Sequence, residues 1–213
     1  MSIEPGDTPS KARLLRTILW GTITAALAGL AIFWALDNYL GNRSKAVRYS
    51  GEADIRSEFS LIDHTGQEVT QADYADRWQL VFFGFTNCPD VCPTTLAYMA
   101  SVLDLLGKDA DQVAPIFITV DPERDTVPAM AEYVSVFHPS LIGLTGTEAQ
   151  VAEATRNFRT WYKRTEDDSA PDDYFMAHAG HIYLMWPGGE FEAVYQEGGQ
   201  PPEALAQEIR KKL

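Results

Sequence analysis

Between positions 17 and 36 the chain carries no charged side chain. Ile18, Leu19, Trp20, Ile23, Leu27, Leu30, Ile32, Phe33 and Trp34 supply apolar surface over about the 20 residues that a helix needs to span a bilayer core. This pattern predicts a single transmembrane helix over residues 17–36, with Trp20, Trp34 and Tyr39 near its ends, where amphipathic rings favour the headgroup region. The run is longer than the apolar core of a cleaved signal peptide and no small-residue cleavage site follows it, so it reads as an uncleaved anchor. Residues 1–16 then form a head. Residues 37–50, polar and without period, form a tether.

From residue 51 to 213 strand and helix patterns alternate. Phe59-Ser60-Leu61-Ile62 and Glu68-Val69-Thr70 flank Asp63-His64-Thr65-Gly66, a strand, turn and strand. Residues 79–85 and 113–120 are nearly unbroken apolar runs, as expected of central strands covered on both faces. Leu96, Met99, Val102, Leu103 and Leu106 recur at helical spacing over residues 94–106 and stop at Gly107. Residues 128–137 predict a second helix, with Asp125 or Thr126 as candidate N-cap and Pro128 in its first turn. Residues 141–144 and 148–158 give a further strand and helix. After a polar stretch over 166–173, two strands at 181–185 and 191–195 flank Pro187-Gly188-Gly189, and residues 201–213 close the chain as a helix. Strand and helix pairs followed by a hairpin predict an α/β domain: one mixed sheet with helices on both faces. Ligands of such sheets gather beyond the carboxyl ends of strands, which singles out residues 86–93 and 121–125.

Charge narrows the function. The chain has 213 residues, with 17 Lys and Arg against 30 Asp and Glu. Five of those basic and three of those acidic residues lie in 1–45, leaving 12 against 27 and a formal charge of −15 on the remainder. Nucleic acid is excluded as a partner, because affinity for phosphate backbones comes from clustered Lys and Arg. Lys11, Arg13 and Arg16 before the apolar run equal Arg43, Lys45 and Arg48 after it in number, but Arg13 and Arg16 lie closer to the run and Asp37 dilutes its far end. The amino terminus therefore reads as cytoplasmic and the large domain as exported. Glu4 and Asp7 sit in a head too short and too acidic for a mitochondrial transit peptide, which favours a bacterial inner membrane with a periplasmic domain.

The only cysteines, Cys88 and Cys92, stand four apart at a strand-to-helix junction. Two cysteines exclude both a disulfide-stapled scaffold and a four-cysteine zinc module. A structural disulfide across so short a loop would contribute little stability. Two chemistries remain. A helix N-terminus stabilises thiolates, which makes the pair nucleophilic or metal-binding. Thioredoxin-type enzymes usually have two residues between their cysteines; three residues place both sulfurs on one helical face, where they suit one metal ion with a third ligand from elsewhere. Soft thiolates favour Cu(I), and imidazole extends the site to Cu(II). Of the four histidines, His64 and His138 read as solvated surface residues, whereas a continuous strand through His178 and His181 would send them to opposite faces, so that only one meets the cysteines.

Three ordered motifs, Gly84-Phe85-Thr86-Asn87-Cys88-Pro89-Asp90-Val91-Cys92-Pro93, Thr119-Val120-Asp121-Pro122-Glu123-Arg124-Asp125-Thr126 and Asp173-Tyr174-Phe175-Met176-Ala177-His178, resemble the SCO/SenC family of membrane-tethered, thioredoxin-like copper proteins of cytochrome c oxidase assembly. The resemblance runs from about Phe59 to the end. It implies copper held by Cys88, Cys92 and His178, with His178 rather than His181 as the matching histidine. Ala177 departs from the acid common at that place, and His181 stands where an apolar residue is usual. Asp121, Arg124 and Asp125 read equally as a support or docking loop and as turn, cap and ion-pair chemistry. The implied activity is that of a metallochaperone with no catalytic residue. It would receive copper from a periplasmic donor and pass it to the copper-bearing subunit of a haem-copper oxidase, with a thiol reductant keeping the redox-active Cys88–Cys92 pair open. The rivals are a thiol-disulfide reductase for the oxidase cysteines and a copper-responsive redox sensor.

Overall fold

The computed structural model describes residues 11–41, 55–166, 174–196 and 198–213. Residues 1–10 of the predicted head fall outside them, as does most of the tether with Arg43, Lys45 and Arg48. The chain divides into two units. In the first, the described residues form one helix, α1 (Lys11–Gly41). Side chains within it are described for residues 15–16 and 19–33, and all are exposed. Among the described residues no helix is long and apolar enough to cross a membrane.

The second unit is built on a seven-stranded mixed sheet. Its strands are β1 (Ser60–Asp63), β2 (Glu68–Thr70), β3 (Trp78–Gly84), β4 (Val113–Thr119), β5 (Ile142–Thr145), β8 (His181–Met185) and β9 (Phe191–Gln196), in the order β2-β1-β5-β4-β3-β8-β9. β3, β4 and β5 are mutually parallel, and the pairings toward both edges are antiparallel. β3 and β4 are buried along their whole length, which is why they read as unbroken apolar runs. Pro115 is tolerated inside β4 because the pairing with β5 begins only at Ile116, so no bond on that side needs its missing N–H.

Successive residues of β3 serve opposite faces. Phe82 packs toward Phe117, which meets Tyr133 of α3 (Val127–Ser135), and Gly84 on the same face approaches Cys92 of α2 (Val91–Leu106). Phe83 packs against Phe158, the residue that ends α4 (Glu148–Asn157), and against Tyr183. Helices therefore cover both faces, as the alternation predicted, and α5 (Pro202–Arg210) packs beside α2. α2 begins three residues before the expected start because Pro93 sits in its first turn, where the N–H it lacks would have had no partner.

One element differs from expectation. The polar stretch is flanked by a separate two-stranded ribbon, β6 (Tyr162–Glu166) paired antiparallel with β7 (Tyr174–His178), that among the described residues joins no larger sheet. Residues 167–173 between the two strands lie outside the described residues. β7 ends at His178 and β8 starts at His181 in the main sheet, so the two histidines do not share a strand and the expected alternation does not apply to them.

Candidate metal centre

The carboxyl end of β3 delivers the chain into the cysteine loop with no room to spare. A Cβ on Gly84 would lie 2.7 Å from Cys92 Sγ and 2.9 Å from the Phe117 ring, so glycine is required for the helix to seat against the sheet. The Cys88 amide donates to Phe85 O at 3.3 Å, and Cys88 Sγ accepts the Cys92 amide at 3.4 Å, one of the donors that a helix start leaves unpaired. Cys88 thus precedes the helix and only Cys92 lies on it. The sulfurs converge through this turn rather than on one helical face.

His178 arrives from the ribbon. Its Nδ1 lies 3.1 Å from Ala179 O, and since a carbonyl only accepts, Nδ1 carries the proton and Nε2 holds a free lone pair. That lone pair points at Cys92 Sγ, 3.3 Å away. The ring packs edge-on against Phe82 and Phe85, with centroids 5.8 and 5.7 Å apart. Donor atoms of Cys88, Cys92 and His178 all lie within 4.8 Å of one another, the one such group of three among the described residues. Two sulfurs and one imidazole nitrogen form a three-donor set for a soft or borderline ion, with a coordination position left open.

Burial sets the electrostatics. Desolvation pushes the Cys92 thiol up, against a lowering contribution from the Phe85 backbone, and holds His178 below the ordinary imidazole range. The expected depression by the helix N-terminus does not prevail at Cys92, because a fully buried sulfur pays more in lost hydration than the dipole returns.

Behind the thiols, buried Asp125 accepts from Thr86 N at 3.0 Å, Thr86 Oγ1 at 2.5 Å and Thr119 Oγ1 at 2.5 Å, which ties the cysteine loop to β4. Burial raises its carboxyl despite those bonds. Asp121 is buried too and receives Arg124 Nε at 2.5 Å and Tyr174 Oη at 2.6 Å. Asp121, Arg124 and Asp125 lie outside the three-donor group, the first two in an ion pair and Asp125 in the hydrogen bonds that tie the cysteine loop to β4. Thr86, Thr119, Phe82, Phe85 and Tyr174 are participants that sequence reasoning missed. Phe85, Thr86, Thr119 and Tyr174 nevertheless lie inside the three motifs, and Tyr174 stands four residues before His178, on its face of the strand.

The other histidines serve the fold. His64 Nδ1 accepts Gly143 N at 3.2 Å, while His138 Nδ1 accepts Ser140 N at 3.1 Å and its Nε2 lies 3.8 Å from Asp104. Both were expected as solvated surface residues; both are partly exposed, each with Nδ1 engaged by a backbone amide. His181 pairs with Gln196 in the main sheet and is not in the donor group. Ala177 is exposed and pairs with Lys163 on the ribbon face opposite His178, so an acid there would point away from the three donors.

The sequence model of the SCO1/SenC family matches residues 47–213. The mitochondrial SCO2 homologue of Mus musculus is 40% identical over 211 residues, covering 95% of this chain and 79% of its own. The SCO2-like protein of Rickettsia conorii is 36% identical over 157 residues, covering 74% and 77%. Among solved structures, ScoI of Bradyrhizobium japonicum with copper bound superposes with a TM-score of 0.70 at 41% identity, covering 75% of this chain and 99% of the other. The two thiols, the imidazole and the sheet that gathers them thus stand inside a match that takes in all but the first two residues of the second unit, and the chain belongs to the SCO1/SenC family.

Proposed function

We propose that this protein is a copper metallochaperone, which holds copper on Cys88, Cys92 and His178 and delivers it to the binuclear copper centre of a haem-copper oxidase during assembly. The observation that carries this reading is the three-donor group, whose atoms lie within 4.8 Å of one another. The copper bound in the similar Bradyrhizobium japonicum ScoI supports it. Copper is cargo here. An ion on two thiolates and one imidazole leaves a position at which an acceptor thiolate can bind before a donor thiolate departs.

The arrangement around the domain belongs to the same proposal. α1 has 31 residues, about 46 Å of helix at 1.5 Å per residue. Its described part exposes Leu19, Trp20, Ile23, Leu27, Leu30, Ile32 and Phe33, apolar surface that water does not favour. Residues 17–36 serve as a single-pass anchor, 1–16 as a cytoplasmic head, 37–50 as the tether and 51–213 as the periplasmic copper domain. A periplasmic donor supplies the ion, and a thiol reductant reopens Cys88–Cys92 after oxidation.

Titration of the reduced chain in detergent with Cu(I), followed by transfer to an oxidase copper-subunit fragment, tests the reading. One copper per chain and its passage to the fragment are expected. Tight stoichiometric copper in a Cys88→Ser, Cys92→Ser double variant would overturn the ligand assignment. Rapid turnover of a generic disulfide, with an oxidase defect rescued by reductant but not by copper, would transfer the function to thiol reduction.

A further inference from the structure

Cys88 and Cys92 sit on the loop and helix that follow β3 of the main sheet, whereas His178 comes from a ribbon whose strands, among the described residues, pair only with each other. Its own side-chain contacts run to Cys92 on α2 and to the adjoining Ala179. Tyr174 adds others. Its buried hydroxyl donates to Asp121 Oδ1 at 2.6 Å, and Arg124 donates both to Asp121 and, at 3.3 Å, to the Tyr174 carbonyl. The guanidinium carbons of Arg124 and Arg164 lie 3.8 and 3.6 Å from the Tyr174 ring centroid. Two groups that close to one centroid would collide on the same face, so the ring is clasped between them.

The clasp continues to the sulfurs. The Asp121 amide donates to Thr119 Oγ1, which donates to Asp125, and Asp125 accepts the backbone amide and hydroxyl of Thr86, two residues before Cys88. One hydrogen-bonded path therefore joins the strand that carries the imidazole to the loop that carries the thiols. Tyr174 and His178 share a face of β7 about 13 Å apart along the strand, so a ribbon freed at Tyr174 swings its ligand end.

We propose that Tyr174 is a positioning residue for the metal centre: by locking the β6–β7 ribbon to Asp121 and Arg124, it sets the reach of His178 to the two sulfurs without touching the ion. The proposal rests on the copper reading above. The test uses the full chain in detergent with Tyr174→Leu, Tyr174→Phe and, as control, His178→Ala. It reads Cu(I) and Cu(II) affinities by competition, the sulfur-to-Cu(II) charge-transfer band, and hydrogen exchange of the β7 amides in the metal-free reduced protein. Tyr174→Leu is expected to lower Cu(II) affinity by about tenfold or more, as removal of partners behind a ligand commonly does. It should shift the band, speed β7 exchange and leave Cu(I) affinity unchanged, because two thiolates suffice for that ion. Tyr174→Phe keeps the clasped ring but not the hydroxyl, and should move the same readouts less far. Equal loss of both ions, or unchanged Cu(II) affinity and band in a folded variant, overturns the proposal; if Tyr174→Leu does not fold, unchanged values in Tyr174→Phe overturn it. Cu(II) binding that survives His178→Ala overturns the ligand assignment and the positioning role with it, whereas loss in His178→Ala beside unchanged Tyr174 variants removes the positioning role alone.

Discussion

His178 Nε2 lies 3.3 Å from Cys92 Sγ across 86 positions of sequence, one residue at the end of a separate ribbon and the other in the first turn of a helix packed on the main sheet. The contact pairs a lone pair that the Ala179 carbonyl has freed with a sulfur that burial keeps protonated. A metal ion that replaces this proton inherits both donors.

His178→Ala should therefore weaken Cu(II) binding by at least about tenfold, since even the loss of a group behind a ligand has that effect. Cu(I) should stay bound through the two thiolates. His181→Ala should change neither ion, because His181 lies in the main sheet outside the donor group. Competition titrations of the two variants check the ranking; the reverse order would show that the wrong histidine had been chosen.

Gly84→Ala should disturb the centre from beneath. The added methyl would press on Cys92 Sγ at 2.7 Å and on the Phe117 ring at 2.9 Å. Overpacking of this kind costs about 1–3 kcal/mol. Urea unfolding should reveal that loss, and copper titration a weakened site, since one of the displaced atoms is a donor. A variant as stable as the parent would mean that α2 shifts freely on the sheet.

Asp125→Ala should destabilise the domain by about 3 kcal/mol, because it strands the Thr86 amide and two hydroxyls that can only partly reorient. Asp125→Asn keeps one acceptor and should cost less. Chemical denaturation of the metal-free reduced chain measures both, and equal losses would point to the charge rather than to the bonds.

Copper binding should depend on pH through Cys92. Its thiol is pushed up and His178 is held down, so near neutrality the metal-free site presents a protonated sulfur and a neutral imidazole. Uptake then expels the Cys92 proton and none from His178, and Cu(I) affinity should rise about tenfold per pH unit for each thiol proton released. Competition titrations between about pH 6.5 and about pH 8.5 span the ordinary imidazole and thiol values. A flat profile would contradict the buried neutral thiol. The stability of the metal-free chain follows from the same groups. The raised thiol contributes stability that is complete below the unfolded thiol value and lost as pH rises through the folded one. The lowered imidazole contributes stability present above about 6.5 and lost as pH falls.

The main sheet was legible because its strands are either continuous apolar runs, as in β3 and β4, or framed by turn residues such as Pro187, Gly188 and Gly189. The cysteine pair was legible as chemistry from its spacing. The ribbon was not, because Tyr162-Lys163-Arg164-Thr165-Glu166 buries almost nothing and so shows no period-2 pattern. The missed ribbon is why the condition of one continuous strand through His178 and His181 is not met, while the strand expected from His181 to Met185 is present. The histidine itself came from the family motif, since no local pattern distinguishes a free Nε2 lone pair. Nor could spacing reveal that burial, rather than the helix N-terminus, governs Cys92.

The unequal exposure of the two sulfurs gives the centre a front and a back. Cys92 is sealed between α2, Gly84 and Phe117, while Cys88 is only half-buried at the loop. A partner arriving from solvent would meet the Cys88 side first, so a bond to Cys88 would open to exchange before a bond to Cys92. The order of departure is written into the depth of the two residues, and an acceptor needs only one well-placed thiolate to begin the exchange.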